Sequence, residues 1–210
     1  MARRLSTADA SIVKPMSKAE LARRAVEVRT ELGLTEFVKL DPYALAEVYG
    51  IAVHQLHSLV VTGCPDMTVQ FFTQERPEVW SAALVPDGTG HLIVENTAHQ
   101  PQRRRSNIAH EMAHVVLEHT FDRILFAGDV QKGCVNPGSR EQEFEAAELG
   151  AELLLPKNAA AWAARKGMAD AQVAELFDVS VQLAAWRMNS TGARLRAQRA
   201  AAKRGGFTAR

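Results

Sequence analysis

The chain has 210 residues, 47% of them hydrophobic, with 25 Lys and Arg against 24 Asp and Glu for a formal charge of +1. That length suits one substantial core with an appended subdomain rather than two independent enzymes, and the near-neutral charge gives no global attraction to nucleic acid or to an anionic membrane. The opening MARRLSTADASIVK has no apolar signal region, no later run approaches the roughly 20 apolar residues of a membrane helix, and Cys64 and Cys134 are too far apart in sequence for a disulfide framework or a paired zinc motif. A cytoplasmic protein with free thiols and no membrane contact is expected.

In chain order, residues 1–15 lack periodicity and end at Pro15, which reads as a disordered arm. From Ser17 to Leu32, Leu21, Ala25, Val28 and Leu32 recur at helical spacing, with Gly33 as a cap. In DPYALAEVYG, Asp41 caps a short helix that has Pro42 in its first turn. IAVHQL, MTVQFFT and WSAALVPDGTGHLIVEN follow; the PDGTG turn marks a β-hairpin, and together these segments predict a small antiparallel sheet. Helices are expected from Pro101 to about His119, from Arg140 to Leu155 after a loop holding KGCVNPGS, and in short pieces to about Met188. The order implies an α+β fold with the helices packed on one side of the sheet.

The stretch RRRSNIAHEMAHVVLEHT carries the chemistry. His110 and His114 lie one helical turn apart, so their imidazoles share a face and can share a cation. Two neutral imidazoles and one carboxylate fill three positions of a zinc ion and leave the fourth for water, which is the arrangement of a catalytic site. Glu111 is placed to take a proton from that water. Chance alone would give the bare pattern in roughly one chain in fifty of this composition. The apolar residues around it, from Ile108 to Leu117, predict a helix buried nearly all round, in which ionisable residues need partners. Core histidines bonded to carbonyls are the alternative.

The third ligand is sought in SREQEFEAAELGAELLLP. On a helical wheel Glu141, Glu145, Glu148 and Glu152 fall within about 60° of one another. Such a stripe on an otherwise apolar helix is explained by a cation opposite it, or else by exposure to solvent. Periodicity does not choose among the four.

RRRSNIAHEMAHVVLEH followed by EFEAAELGAELLLP resembles the ImmA/IrrE family of metallopeptidases, and the likeness spans most of residues 17–190. The resemblance implies His110, His114 and Glu145 as metal ligands, Glu111 as catalytic base and one Zn2+ per chain. It also implies a peptidase of restricted specificity whose substrate is a helix-turn-helix transcriptional repressor. The chain has Ala113 where family members often have Gly, and Ser106 where an aromatic is common. His119 matches a recurrent family histidine, but its position round the helix favours packing or support of a ligand over ligation. The implied organisation is an arm at 1–15, a zincin-like metallopeptidase domain at 16–156, a helical subdomain at 157–190 and a basic tail at 191–210.

Several weaker signals accompany the motif. HLIVE is the expected edge strand for a substrate peptide, and His91, His99 and Arg103 are candidates for stabilising an oxyanion. Cys64 or Cys134 could hold the metal's open position as a thiolate. DAQVAELFDVSVQLAAWRMNSTG has the cadence of a helix-turn-helix, with Gln182 and Arg187 as its groove-facing side chains. With the basic tail, it supports a rival reading as a non-catalytic regulator that binds DNA or a repressor.

Overall fold

The computed structural model describes residues 15–119, 125–127 and 137–205. Most of the expected arm, the KGCVN part of the expected loop with Cys134, and the end of the basic tail lie outside the described residues. Helix α1, Lys18–Glu31, starts at a capping box in which Ser17 and Glu20 satisfy each other's backbone amides. It buries Leu21, Ala25 and Val28, the face its spacing predicts. Helix α2, Pro42–Val48, is capped by Asp41, whose carboxylate accepts from the Tyr43 amide at 3.2 Å.

Among the described residues the sheet has four strands, β1 (Ala52–Gln55), β2 (Ala82–Asp87), β3 (Gly90–Glu95) and β4 (Leu125–Ala127), in the spatial order β1-β3-β2-β4. The hairpin β2–β3 forms as read, closing with Asp87 opposite Gly90 and with Gly88 at φ 58°. Two expectations are corrected. β1 runs parallel to β3, so the sheet is mixed rather than antiparallel. HLIVE, as β3, is an interior strand, and the outer strands are β1 and β4.

The parallel pairing follows from what separates β1 and β2. MTVQFFT does not form a strand; it lies in helix α3 (Asp66–Gln70) and a π-helical turn over Phe71–Glu75. Val69 and Phe72, spaced i to i+3, pack with Leu56, Trp80, Ala83 and Val94 as a small apolar cluster. Phe72 meets Trp80 edge-on at 5.7 Å. The chain thus reaches β2 through a helical excursion rather than a hairpin, and β1 is free to run alongside β3.

Helix α4, Pro101–Val116, and helix α5, Pro137–Leu154, pack against each other and form the centre of the main core. Ile108, Met112 and Ala113 of α4 join Leu84 and Ile93 of the sheet and Leu149 and Leu153 of α5 in this core. At Gly150 the two backbones nearly touch, since an added Cβ would sit 3.0 Å from the Ala109 carbonyl oxygen and 3.1 Å from the His110 nitrogen. The absent side chain lets α5 approach α4 beside His110. Helices α6 (Lys157–Arg165), α7 (Asp170–Phe177), α8 (Val181–Ser190) and α9 (Ala193–Gly205) follow, with Asp178 in the left-handed conformation turning α7 into α8. No helix among the described residues is long and apolar enough to cross a membrane.

Candidate metal centre

His110 and His114 sit one turn apart on α4 with ring centroids 4.9 Å apart, and their Nε2 atoms approach to 3.2 Å. The carboxylate that meets them comes from Glu143 on α5. Its Oε2 lies 3.2 Å from His110 Nε2 and its Oε1 3.4 Å from His114 Nε2. One donor atom of each of these three residues lies within 4.8 Å of the others, a grouping able to hold a metal ion.

Glu145 is not brought to this cluster. Residues two apart on a helix point roughly 200° away from each other, so Glu143 and Glu145 face opposite sides of α5. Glu145 Oε2 lies 3.1 Å from His119 Nε2, and its Oε1 accepts a hydrogen bond from the Met16 amide. The rest of the acidic stripe does have a cation opposite, but it is Arg187 of α8. This side chain is wholly buried and lies 2.9 Å from Glu148 and 2.6 Å from Glu152, while Lys18 reaches Glu148 at 2.8 Å. Glu141 is exposed.

The sequence reading missed Glu143. A signal was present: Glu143, Ala147, Gly150 and Leu154 share a stripe within about 60° on the wheel. Its two small residues mark where another helix comes close, and this is the face that meets His110 and His114.

Glu111 is 1% exposed and points toward β2. Burial raises its carboxyl to about 7, with His110 and a backbone hydrogen bond from Leu84 opposing the rise, and its Oε1 is buried without a hydrogen-bond partner. Burial also pushes Glu143 upward, but the hydrogen bonds and charges of His110 and His114 outweigh it and hold the carboxyl far below the usual range. For His110 burial opposes the charged ring, yet Glu143 and Glu111 together carry its pKa up. For His114 burial prevails and the pKa falls.

A cleft of about 400 Å³ opens beside His110 and Glu143, lined also by Ser81, Asn107, Leu183 and Trp186. Of the oxyanion candidates, His99 and Arg103 both meet Ser81 Oγ at 3.2 Å, at the wall of this cleft. His91 instead lies opposite Pro86 near the hairpin turn. Cys64 lies in the turn before α3 and is not part of the metal-holding group. Arg187, read as a groove-facing residue, is inside the protein, which removes it from any DNA contact; Gln182 is exposed.

No curated protein matches the chain significantly. The model of the IrrE N-terminal-like domain, peptidase family M78, matches residues 64–189, a span that contains the hairpin, both helices of the centre and the helix carrying Arg187. On that match, which covers more than half of its length, the chain belongs to the IrrE-like M78 family of metallopeptidases.

Proposed function

We propose that the chain is a zinc-dependent endopeptidase in which His110, His114 and Glu143 hold the metal and Glu111 is the general base. The observation that carries this reading is the convergence of two imidazole Nε2 atoms and a carboxylate at 3.2 to 3.4 Å where two packed helices meet. Three groups that present lone pairs repel one another at such distances unless a cation or protons lie between them. Two histidines and one carboxylate form a donor set suited to zinc, with a coordination position left for the reaction.

When bound, the metal supplies Lewis acidity, which makes water a strong enough acid to lose its proton near neutral pH. Glu111, next to His110 and raised by burial to about 7, is matched to accept that proton and to pass it to the leaving amine. The cleft gives a peptide room to lie with its backbone near His110 and Glu143, and Trp186 and Leu183 offer an apolar wall for a side chain flanking the scissile bond. Ser81, held by Arg103 and His99, supplies a polar group at the same wall.

We take the substrate to be a helix-turn-helix repressor, on the strength of the family likeness, and the setting to be the cytoplasm. The rival reading as a DNA-binding regulator loses its main side chain with Arg187 buried. Incubating the zinc-loaded protein with purified helix-turn-helix repressors of the source genome, followed by mass spectrometry of fragments, tests the proposal. A discrete cut that requires metal is expected, and intact repressors under all metal conditions would sink it.

A further inference from the structure

Behind His114 the chain makes an unusual return. Helix α4 ends at Val116, and Glu118 takes the left-handed conformation at φ 52°, so the His119 amide donates back to the His114 carbonyl at 3.1 Å. This fold-back, which no straight helical wheel anticipates, lays the His119 ring against that of His114 at 5.0 Å. The two Nδ1 atoms are 2.9 Å apart, and His119 Nε2 lies 3.1 Å from Glu145 Oε2. All three side chains are sheltered, at 1% exposure for His114, 7% for His119 and 10% for Glu145.

One arrangement of protons along this row leaves His114 ready to bind a metal. In it the His119 proton sits on Nε2 and is donated to Glu145. With one proton per ring, His119 Nδ1 is bare and accepts from His114 Nδ1–H. His114 Nε2, the atom that faces His110 and Glu143, then carries no proton and can donate its lone pair to a metal.

We propose that Glu145 and His119 are positioning residues which, through His114, hold the tautomer and ring orientation needed to bind the metal. The inference rests on the metal-centre reading above. It gives Glu145 a role one residue removed from the ion. Ligating histidines generally use their second ring nitrogen in a hydrogen bond to a carboxylate or carbonyl, and loss of that partner weakens metal affinity. Here the partner is a second imidazole, and the carboxylate stands behind it. The Met16 amide, donating to the other oxygen of Glu145, ties the start of α1 to the same row.

The test measures zinc affinity of the full chain by chelator competition for the wild type, Glu143→Gln, Glu145→Gln, His119→Leu and His119→Asn. Long-range 1H–15N spectra of the wild-type imidazoles provide a readout that needs no variant to fold. The expected result is a loss of about 10- to 100-fold in affinity for Glu145→Gln and His119→Leu, with one zinc still bound at saturation. Recovery of part of the loss in His119→Asn is also expected, because its side-chain oxygen can stand where Nδ1 was. The spectra should show His114 protonated at Nδ1 and His119 at Nε2. Affinities within about twofold of wild type in both variants, or a His114 proton on Nε2, would overturn the proposal while the loss of zinc in Glu143→Gln left the metal centre standing. A wild type that binds no zinc would overturn both.

Discussion

Arg187 Nη1 meets Glu148 Oε1 at 2.9 Å with the arginine side chain entirely shielded from water. The same guanidinium lies 2.6 Å from Glu152, and its Nε donates to the Leu155 carbonyl at 3.2 Å. One side chain of α8 thus hydrogen-bonds one carboxylate of α5, sets its charge against a second and donates to the carbonyl that follows the helix carrying Glu143. Removing it leaves the buried Glu152 short of a cation and Glu148 with Lys18 alone, and breaking a buried pair from one side costs about 3–5 kcal/mol. Arg187→Ala should therefore unfold at much lower denaturant in equilibrium titration. Arg187→Lys should recover only part of the loss, since an ammonium cannot span both carboxylates in the geometry of the planar fork. An Arg187→Ala protein as stable as the wild type would show that the network contributes little.

Gly150 offers a second test of the framework. A methyl group added there would press on the Ala109 carbonyl and the His110 nitrogen at 3.0 to 3.1 Å, and backbone on both sides leaves nothing flexible to give way. Gly150→Ala normally gains helix propensity of about 1 kcal/mol, but overpacking at a tight crossing costs about 1–3 kcal/mol. The expected balance is a loss of stability, with weaker metal binding because His110 moves relative to Glu143. Melting temperature and zinc affinity measured on the same variant check both parts. A more stable Gly150→Ala protein with unchanged affinity would mean that the helices separate without cost.

These two contacts also explain how far the site was legible beforehand. His110, Glu111 and His114 could be read because a single helix turn fixes their relation, and local geometry suffices for that. The third carboxylate depends on which face of α5 meets α4, a tertiary fact, and the stripe of four glutamates pointed to the face that holds Arg187 and Lys18. A buried acidic stripe needs a cation, and Glu148 and Glu152 meet one in an arginine of a later helix. For the sheet, the hairpin was visible in its turn residues, whereas the direction of β1 was set by the helical path of MTVQFFT, whose apolar spacing fits a helix as well as a strand.

The choice between the two glutamates is open to direct measurement. Glu143 reaches both histidines, and Glu145 reaches neither. Glu143→Ala should lose stoichiometric zinc after dialysis, and Glu145→Ala should still fill to one zinc per chain when the metal is in excess. Metal content by mass spectrometry decides the matter, and the reverse pattern would return the ligand role to Glu145.

Glu111 separates binding from chemistry. Its side chain is buried, carries an oxygen without a partner and lies next to a ligand, yet it is not one of the three groups that converge on the metal position. Glu111→Gln keeps its shape and removes only the capacity to hold the proton. Zinc content and affinity should stay close to wild type, and the melting temperature should be no lower, because a buried carboxylate short of hydrogen bonds is costly to keep. Peptide cleavage should fall by about 10²- to 10⁴-fold, the usual contribution of a general base. Under the proposed function, relief of repression in cells should fall with it. If the variant still relieved repression fully while cleaving nothing, the protein would act by binding its repressor, and proteolysis would not be its working step.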